Sequence, residues 1–218
     1  MLFKRFFLNP KVAKKIVKLL LQIHSFSLKL LGTFSVAAEE GLHPKHRLMN
    51  YHKFFVDNVS EDDIVLDIGC GNGALTFDIA KKAKYVYGID INPQNIETAR
   101  AKYGADNVTY IIGDATNFKF DEKFNVIILS NVLEHIENRI AFLLKVAKLA
   151  ERFLIRVPMI NRDWVVLYKK ELGLPYMSDP THKTEYTLES FIDELSKAGL
   201  RIENYTIQFG EIWARVLR

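Results

Sequence analysis

Residues 64–73 read Ile-Val-Leu-Asp-Ile-Gly-Cys-Gly-Asn-Gly. Ile64, Val65, Leu66 and Ile68 form a short apolar run of the kind a buried strand uses. The run breaks into Gly69, Gly71 and Gly73, after which Ala74, Leu75, Phe77, Ile79 and Ala80 fall into a helical pattern. Glycines at alternate positions let a backbone turn sharply and approach a ligand where a Cβ would collide. Between strand and helix they mark the nucleotide-binding crevice of a parallel α/β sheet, so a polar cofactor with an adenosine end is expected.

Outward from that loop, strand-like runs recur at Tyr85–Ile91, Val108–Gly113, Asn125–Ser130 and Phe153–Val157, with helical patterns between them. Such alternation predicts a parallel sheet with helices on both faces. After Pro158 it stops, and residues 159–186 read as irregular and aromatic, with Trp164, Tyr168, Tyr176 and Tyr186. Thr187 then caps a helix with Leu188, Phe191, Ile192, Leu195 and Ala198 as its stripe and Gly199 as its stop. Arg201–Phe209 and Ile212–Leu217 read as two closing strands around Gly210.

Two cofactors compete for the loop. Gly69, Gly71 and Ala74 satisfy the dinucleotide pattern, which alone is a weak signal. Three features favour S-adenosylmethionine (SAM): Asp67 just before the glycines, the third glycine Gly73, and the polar end of the fourth strand, Ser130-Asn131-Val132-Leu133-Glu134-His135. Together Asp67–Gly73, Gly88–Ile91, Gly113–Ala115 and Asn125–Ile136 resemble the class I SAM-dependent methyltransferases, in a branch similar to the quinone-biosynthesis and related small-molecule enzymes. The resemblance implies an α/β fold: a doubly wound, mostly parallel seven-stranded Rossmann-like sheet with a C-terminal antiparallel strand. The chain then divides into an N-terminal helical extension, 1–60, and a SAM-binding domain, 61–218, with a substrate lid at 159–186.

Asp90 ends the second strand beside the glycine loop, where a carboxylate can accept both ribose hydroxyls. Ile91 would lie against the adenine face. The resemblance implies that Asp114 accepts the adenine amine and that the Ala115 backbone supports the ring. It also turns Asp67 and Gly69 toward the methionine ammonium, and Ser130 and Asn131 toward its carboxylate. Cys70, Gly71 and Gly73 complete the loop. Cys70 has no evident activating neighbour and is expected to be structural.

Methyl transfer from a sulfonium needs no protonation of the leaving thioether, so placement of the acceptor can supply roughly 7–11 kcal/mol of the barrier reduction. A base matters only where the acceptor carries a proton. His135 is the candidate, with a helix-end histidine bonded to backbone as the equal alternative. Acceptor contacts are expected from His43, His46 and Arg47 before the domain, from Arg156 and Arg162, and from His182 and Tyr186 in the lid. A single exposed polar residue on a loop is more often solvated than functional. Asn131, Glu134, His135 and the distant His182 resemble a metal-assisted RNA-end methyltransferase site. That site wants a carboxylate where Asn131 stands and a third imidazole where Ile136 stands, so no metal is expected.

The 218 residues suit one α/β domain with decorations, and 49% hydrophobic with 26% charged residues is ordinary for a globular chain. With one cysteine no internal disulfide can form, and a cytoplasmic setting is expected. Much of the net charge of +4 comes from Lys4, Arg5, Lys11, Lys14, Lys15, Lys18 and Lys29, a tract without an acidic residue. No basic tract is interleaved with stacking aromatics, so nucleic acid is not an expected partner. Residues 10–31 predict a helix capped by Asn9, begun by Pro10 and ended by Gly32. Val12, Ile16, Leu19, Leu20, Ile23, Leu30 and Leu31 fall on one side and the lysines on the other. The lysines interrupt the apolar run too often for a membrane span, and no clean apolar block leads to a cleavage site. Two readings stand: packing on the domain or a second subunit, or lying on the anionic inner surface of a membrane.

His43–His52 with Arg156–Trp164 looks similar to methyltransferases of surface-glycan assembly. A hydroxyl on a sugar or other small molecule is the first expectation for the acceptor. A quinone or phenolic ring is second, RNA or protein third, and a SAM-binding partner subunit is the non-enzymatic alternative.

Overall fold

The computed structural model describes residues 9–41 and 43–218. Lys4 and Arg5 of the basic tract lie outside them. The chain forms two compact units, one of Tyr51–Asp163 with Met177–Arg218, the other of the residues up to Asn50 with Trp164–Tyr176.

The first unit carries one seven-stranded sheet in the order β3-β2-β1-β4-β5-β7-β6. The strands are β1 (Ile64–Ile68), β2 (Tyr85–Asp90), β3 (Val108–Ile112), β4 (Val126–Ser130), β5 (Arg152–Pro158), β6 (Arg201–Gln208) and β7 (Glu211–Leu217). The first five pair in parallel, and β7 runs antiparallel between β5 and β6. Four helices flank the sheet: Tyr51–Asp57, Ala74–Ala80, Pro93–Tyr103 and Arg139–Val146, with a fifth at Leu188–Lys197.

Period-two alternation builds a core on each face. Leu66, Ile68, Ile127, Leu129, Phe153 and Ile155 pack with Phe142, Leu143, Phe191 and Leu195. Val65, Val126, Ile128 and Leu154 pack on the opposite face with Phe55, Leu75 and Ile79. Phe55 is fully buried there, so Tyr51–Asp57 belongs to the sheet unit and the boundary falls at Asn50 rather than residue 60. The stretch 159–186 also departs from the irregular segment expected. Its ends are tied by a bridge between Met159 and Tyr186, and it contains the helix Trp164–Glu171, which clusters with the other unit.

In that other unit the helix Pro10–Ala38 begins as expected, with Asn9 Oδ1 accepting from Lys11 N at 3.0 Å. It does not end at Gly32 but runs on to Ala38, where the Glu39 N–H donates to Ser35 O. A glycine inside a helix costs about 1 kcal/mol relative to alanine, too little to stop a helix with good formers on both sides. The longer helix changes its chemistry. Beyond Lys18 the only charged residue is Lys29, and the helix is long and apolar enough to cross a membrane by length and composition. By that test alone the helix differs from the expectation drawn from its lysine-rich first turns. No residue of this helix is buried, and Leu19, Leu20, Ile23, Phe26, Leu30, Leu31 and Phe34 are all exposed.

With Pro10–Ala38 as α1, the helices in chain order are α2 (Pro44–Met49), α3 (Tyr51–Asp57), α4 (Ala74–Ala80), α5 (Pro93–Tyr103), α6 (Arg139–Val146), α7 (Trp164–Glu171) and α8 (Leu188–Lys197).

Candidate active site

The carboxyl ends of β1 to β4 open on a cavity of about 800 Å³, as ligand crevices of parallel sheets do. Among the residues expected to hold a cofactor, Gly69, Asp90, Ile91, Asp114, Ala115 and Asn131 line it. His135 lines it too, with Phe142 of α6 on its wall.

Asp90 is held by three donors. Its Oδ2 accepts from Gly71 N at 2.9 Å, while Oδ1 accepts from Asn92 N at 2.8 Å and Asn95 Nδ2 at 3.2 Å. The carboxylate thereby draws the glycine loop onto β2, and Oδ2 keeps a lone pair for a hydroxyl. Helix α5 has its own cap, Asn92, so Asp90 is not needed for that purpose. Asp114 accepts from Thr116 N and Oγ1 at 2.9 and 2.7 Å and from Asn117 Nδ2 at 2.8 Å. The Thr116 hydroxyl leads the hydrogen bonds that keep its carboxyl below the usual range. Ile91 projects its side chain with 70% of its surface exposed, a free apolar face beside the two carboxylates.

Asp67, Cys70, Gly71, Gly73 and Ser130 are not among the cavity-lining residues. Asp67 follows Val65 onto the α4 face, where it is buried and accepts from Thr76 Oγ1 at 2.6 Å. Burial pushes its carboxyl up to about 7, with the nearby Asp90 charge adding to the effect and the Thr76 bond opposing it. It therefore does not face the cavity, which corrects the expected contact with the cofactor's ammonium group. Gly73, at φ +86°, is required by packing: a Cβ there would come within 2.7 Å of Ala99 and of the Tyr110 hydroxyl. The Cys70 thiol is buried, and burial pushes its pKa up, which leaves it inert.

On the other side of the cavity, Asn131 follows β4 with a left-handed φ of 56°, uncommon outside glycine. Its N–H donates to Arg156 O at 2.9 Å and its Oδ1 accepts from Arg156 Nε at 3.2 Å. Arg156, expected to meet an acceptor, is buried instead. It pairs with Glu211 at 3.0 Å and stacks 3.8 Å from the centroid of the Tyr51 ring. Arg162 bonds Glu185 and the Met159 carbonyl. Tyr186 is a core residue, 2% exposed, whose hydroxyl donates to Glu194. These three corrections share a cause: each side chain meets a carboxylate that tertiary folding brings to it, Glu211, Glu185 and Glu194 in turn.

His182 does come to the site. Its ring lies edge-on to His135 with centroids 4.7 Å apart. Burial, and secondarily the charge of His182, holds the His135 imidazole below its usual pKa, which favours the neutral ring. Sequence reasoning left Glu134 out of the working site. It is fully buried behind His135, its two oxygens have no hydrogen-bond partner, and burial pushes its carboxyl up to about 8. Its signal was its place in Leu-Glu-His after an apolar strand, where a glutamate has no packing purpose. His43, His46 and Arg47 belong to the other unit, where His43 caps α2 and Arg47 pairs with Glu39 at 3.0 Å.

A family model described as a methyltransferase domain matches residues 59–173. A probable cobalt-precorrin-6B C(15)-methyltransferase (decarboxylating) of Methanococcus vannielii is 38% identical over 74 residues, 31% of this chain and 41% of that protein. A probable ribosomal RNA small subunit methyltransferase A of Pyrococcus abyssi is 31% identical over 156 residues, 67% of this chain and 53% of that protein. The chain spans about half the length of these two relatives. Among solved structures, magnesium protoporphyrin IX methyltransferase from Synechocystis, with bound S-adenosylhomocysteine (SAH), superposes with a TM-score of 0.61 at 18% identity, over 99% of this chain and 92% of that one.

Proposed function

Because this chain belongs to the methyltransferase-domain family, we propose that it moves a methyl group from SAM to a hydroxyl of a small molecule or glycan. The observation that carries the reading is the composition of one cavity. Asp90, Ile91 and Asp114 offer hydrogen-bond acceptors and an apolar face suited to adenosine, while Asn131 and His135 line the same space. In the reaction the S–CH3 bond breaks and an O–CH3 bond forms in line. The hydroxyl proton passes to a lone pair of His135, and the thioether leaves neutral. Most of the acceleration comes from placement, with the base needed only for the proton. A hydroxyl is favoured because the His135 imidazole lines the cavity together with the polar side chains of Asn131, Glu137 and Asn138. A quinone or phenolic ring ranks second, and the named relatives make a tetrapyrrole carbon or an RNA base outcomes of the test.

Calorimetry with SAH and with NAD separates the cofactor classes: binding of SAH alone is expected, and binding of NAD alone overturns the reading. Labelled SAM incubated with fractionated cell extract then identifies the acceptor. Label in glycan or lipid-linked sugar is expected, and label confined to RNA or protein rejects the small-molecule acceptor.

We further propose a location at an anionic membrane surface for α1. What supports it is the exposed stripe of Leu19, Leu20, Ile23, Phe26, Leu30, Leu31 and Phe34, with Lys11, Lys14, Lys15, Lys18 and Lys29 on the other side.

A further inference from the structure

Behind the end of β4, three acceptor groups meet with no donor among them. Neither oxygen of the buried Glu134 carboxylate has a hydrogen-bond partner. His182 Nε2 lies 4.0 Å from Glu134 Oε1, too long for a hydrogen bond. One ligand-capable atom from each of Glu134, His135 and His182 lies within 4.8 Å of the others.

The neighbours of the two imidazoles decide which nitrogen carries the proton. Thr181 Oγ1 donates its proton to Asp179 Oδ1 at 2.5 Å. Its 2.9 Å contact with His135 Nδ1 therefore takes the ring N–H as donor. Glu185 Oε1 accepts from Ser178 N and Oγ at 2.5 and 2.7 Å, and Arg162 donates to Oε2. A carboxylate only accepts, so the 3.1 Å contact with His182 Nδ1 also takes the ring N–H as donor. With Nδ1 protonated, Nε2 of each neutral ring is a lone pair. A histidine oriented through Nδ1–H by a carboxylate or hydroxyl is how a metal-ligating imidazole is fixed. Two such lone pairs beside an unpartnered buried carboxyl group form a set that a cation would satisfy.

We propose that Glu134, His135 and His182 bind a divalent first-row transition cation. Two imidazoles and one carboxylate suit manganese, iron, cobalt or zinc and leave coordination positions open. Asn131 Oδ1 does not compete for the role of fourth ligand, since it accepts from Arg156. The expectation of no metal rested on Asn131 and Ile136 lacking ligands; the fold brings His182, already counted in that reading, within reach of Glu134 and His135. Because His135 also lines the cavity, the cation stands beside the space for the acceptor; when it is bound, His135 Nε2 serves as ligand instead of base, and the cation would acidify a hydroxyl whose proton is released to water. That last role rests on the methyl-transfer reading; the binding of the cation does not.

The test titrates the full chain with Mn2+ alone, followed by the loss of its solution EPR signal, and with Co2+ alone, followed by visible absorption. One equivalent is expected to bind, with an absorption band reporting nitrogen ligands. Glu134→Gln and His182→Gln should each weaken binding at least tenfold while SAH affinity stays within about twofold. Should either variant fail to fold, His135→Gln, at an exposed position, should likewise weaken cation binding at least tenfold. SAH binding with no cation bound, or cation binding unchanged in all three variants, overturns the site and leaves the methyltransferase reading standing. Cation binding without SAH binding does the reverse.

Discussion

Asp90 closes one parallel strand and Glu134 follows another, yet Asp90 arrives with three donors and Glu134 with none. The cofactor side of the cavity is finished by the protein itself: Asp90 and Asp114 are bonded, and Asp67 has Thr76. The acceptor side keeps two unsatisfied buried groups, the Glu134 carboxylate and Nη1 of Arg156. A polar group held by its own fold loses little freedom when a ligand arrives, which is preorganisation. A buried one without a partner marks a place where something else completes the structure. The difference separates a half shaped in advance from a half that depends on what binds.

The strongest way to break this contrast is to remove the cation already built into the acceptor side. Arg156 is buried against Glu211, Asn131 and the Tyr51 ring. Arg156→Ala removes the ion-pair partner of the largely buried Glu211 and leaves it only the Trp213 Nε1 bond, and chemical denaturation should show a loss of about 3 kcal/mol. A loss under about 1 kcal/mol would mean that this side is as loosely held as a surface.

On the cofactor side the expected effect is smaller and falls on binding. If Asp90 binds the ribose as proposed, Asp90→Ala removes the acceptor of two hydroxyls, each such charge-assisted bond contributing roughly 1.5–3 kcal/mol. SAH affinity should fall about a hundredfold, measured by calorimetry, with the circular dichroism spectrum retained. Undiminished affinity would end the assignment of Asp90 to the ribose.

How far the sequence reaches follows the same division. Strand positions, the glycine loop and Asp90 were legible because they rest on local period and spacing. Asp67 was legible only in part: period two puts it with Val65 and Leu154 on the α4 face, which outweighs its nearness to the loop. Tyr186, Arg156 and Arg162 were misread because Glu194, Glu211 and Glu185, their partners, come from pairings that no local pattern encodes. The His135–His182 pairing was legible only through the resemblance to a metal-assisted site, since no local pattern places His182 there. The end of α1 was missed because Gly32 is a weak stop within a strong helix.

Asp67 gives a prediction in pH. Its carboxyl sits at about 7 in the fold against about 3.9 for an unperturbed aspartate, so the native state holds a proton that the unfolded chain releases. The stability it contributes is complete below about pH 4 and is lost as pH rises through about 7. Asp67→Asn keeps an acceptor for Thr76 and has no proton to lose. Its stability relative to the natural protein should therefore rise between pH 5 and pH 8 by on the order of 1–3 kcal/mol. Parallel pH profiles for the two proteins would show that Asp67 ionises freely and that its half of the cavity is less closed than its burial implies.

The contrast between satisfied and unsatisfied surface recurs in α1, where the expected effect per residue is smallest. Each lysine near an anionic bilayer contributes on the order of 1 kcal/mol, and the apolar stripe supplies the rest. Full-length protein should float with anionic vesicles and not with neutral ones. Lys15→Glu and Lys29→Glu should each reduce the bound fraction several-fold, and removal of residues 1–38 should abolish flotation. Salt decides how the helix sits. A helix lying in the interface by charge and a shallow apolar face is released as ionic strength rises, because screening shortens the reach of its lysines. A helix that spans the bilayer stays bound, since the hydrocarbon core holds Leu19 to Phe34 whatever the salt. Failure of the full-length protein to float leaves the stripe to a second protein surface, and oligomer size should then fall when α1 is removed.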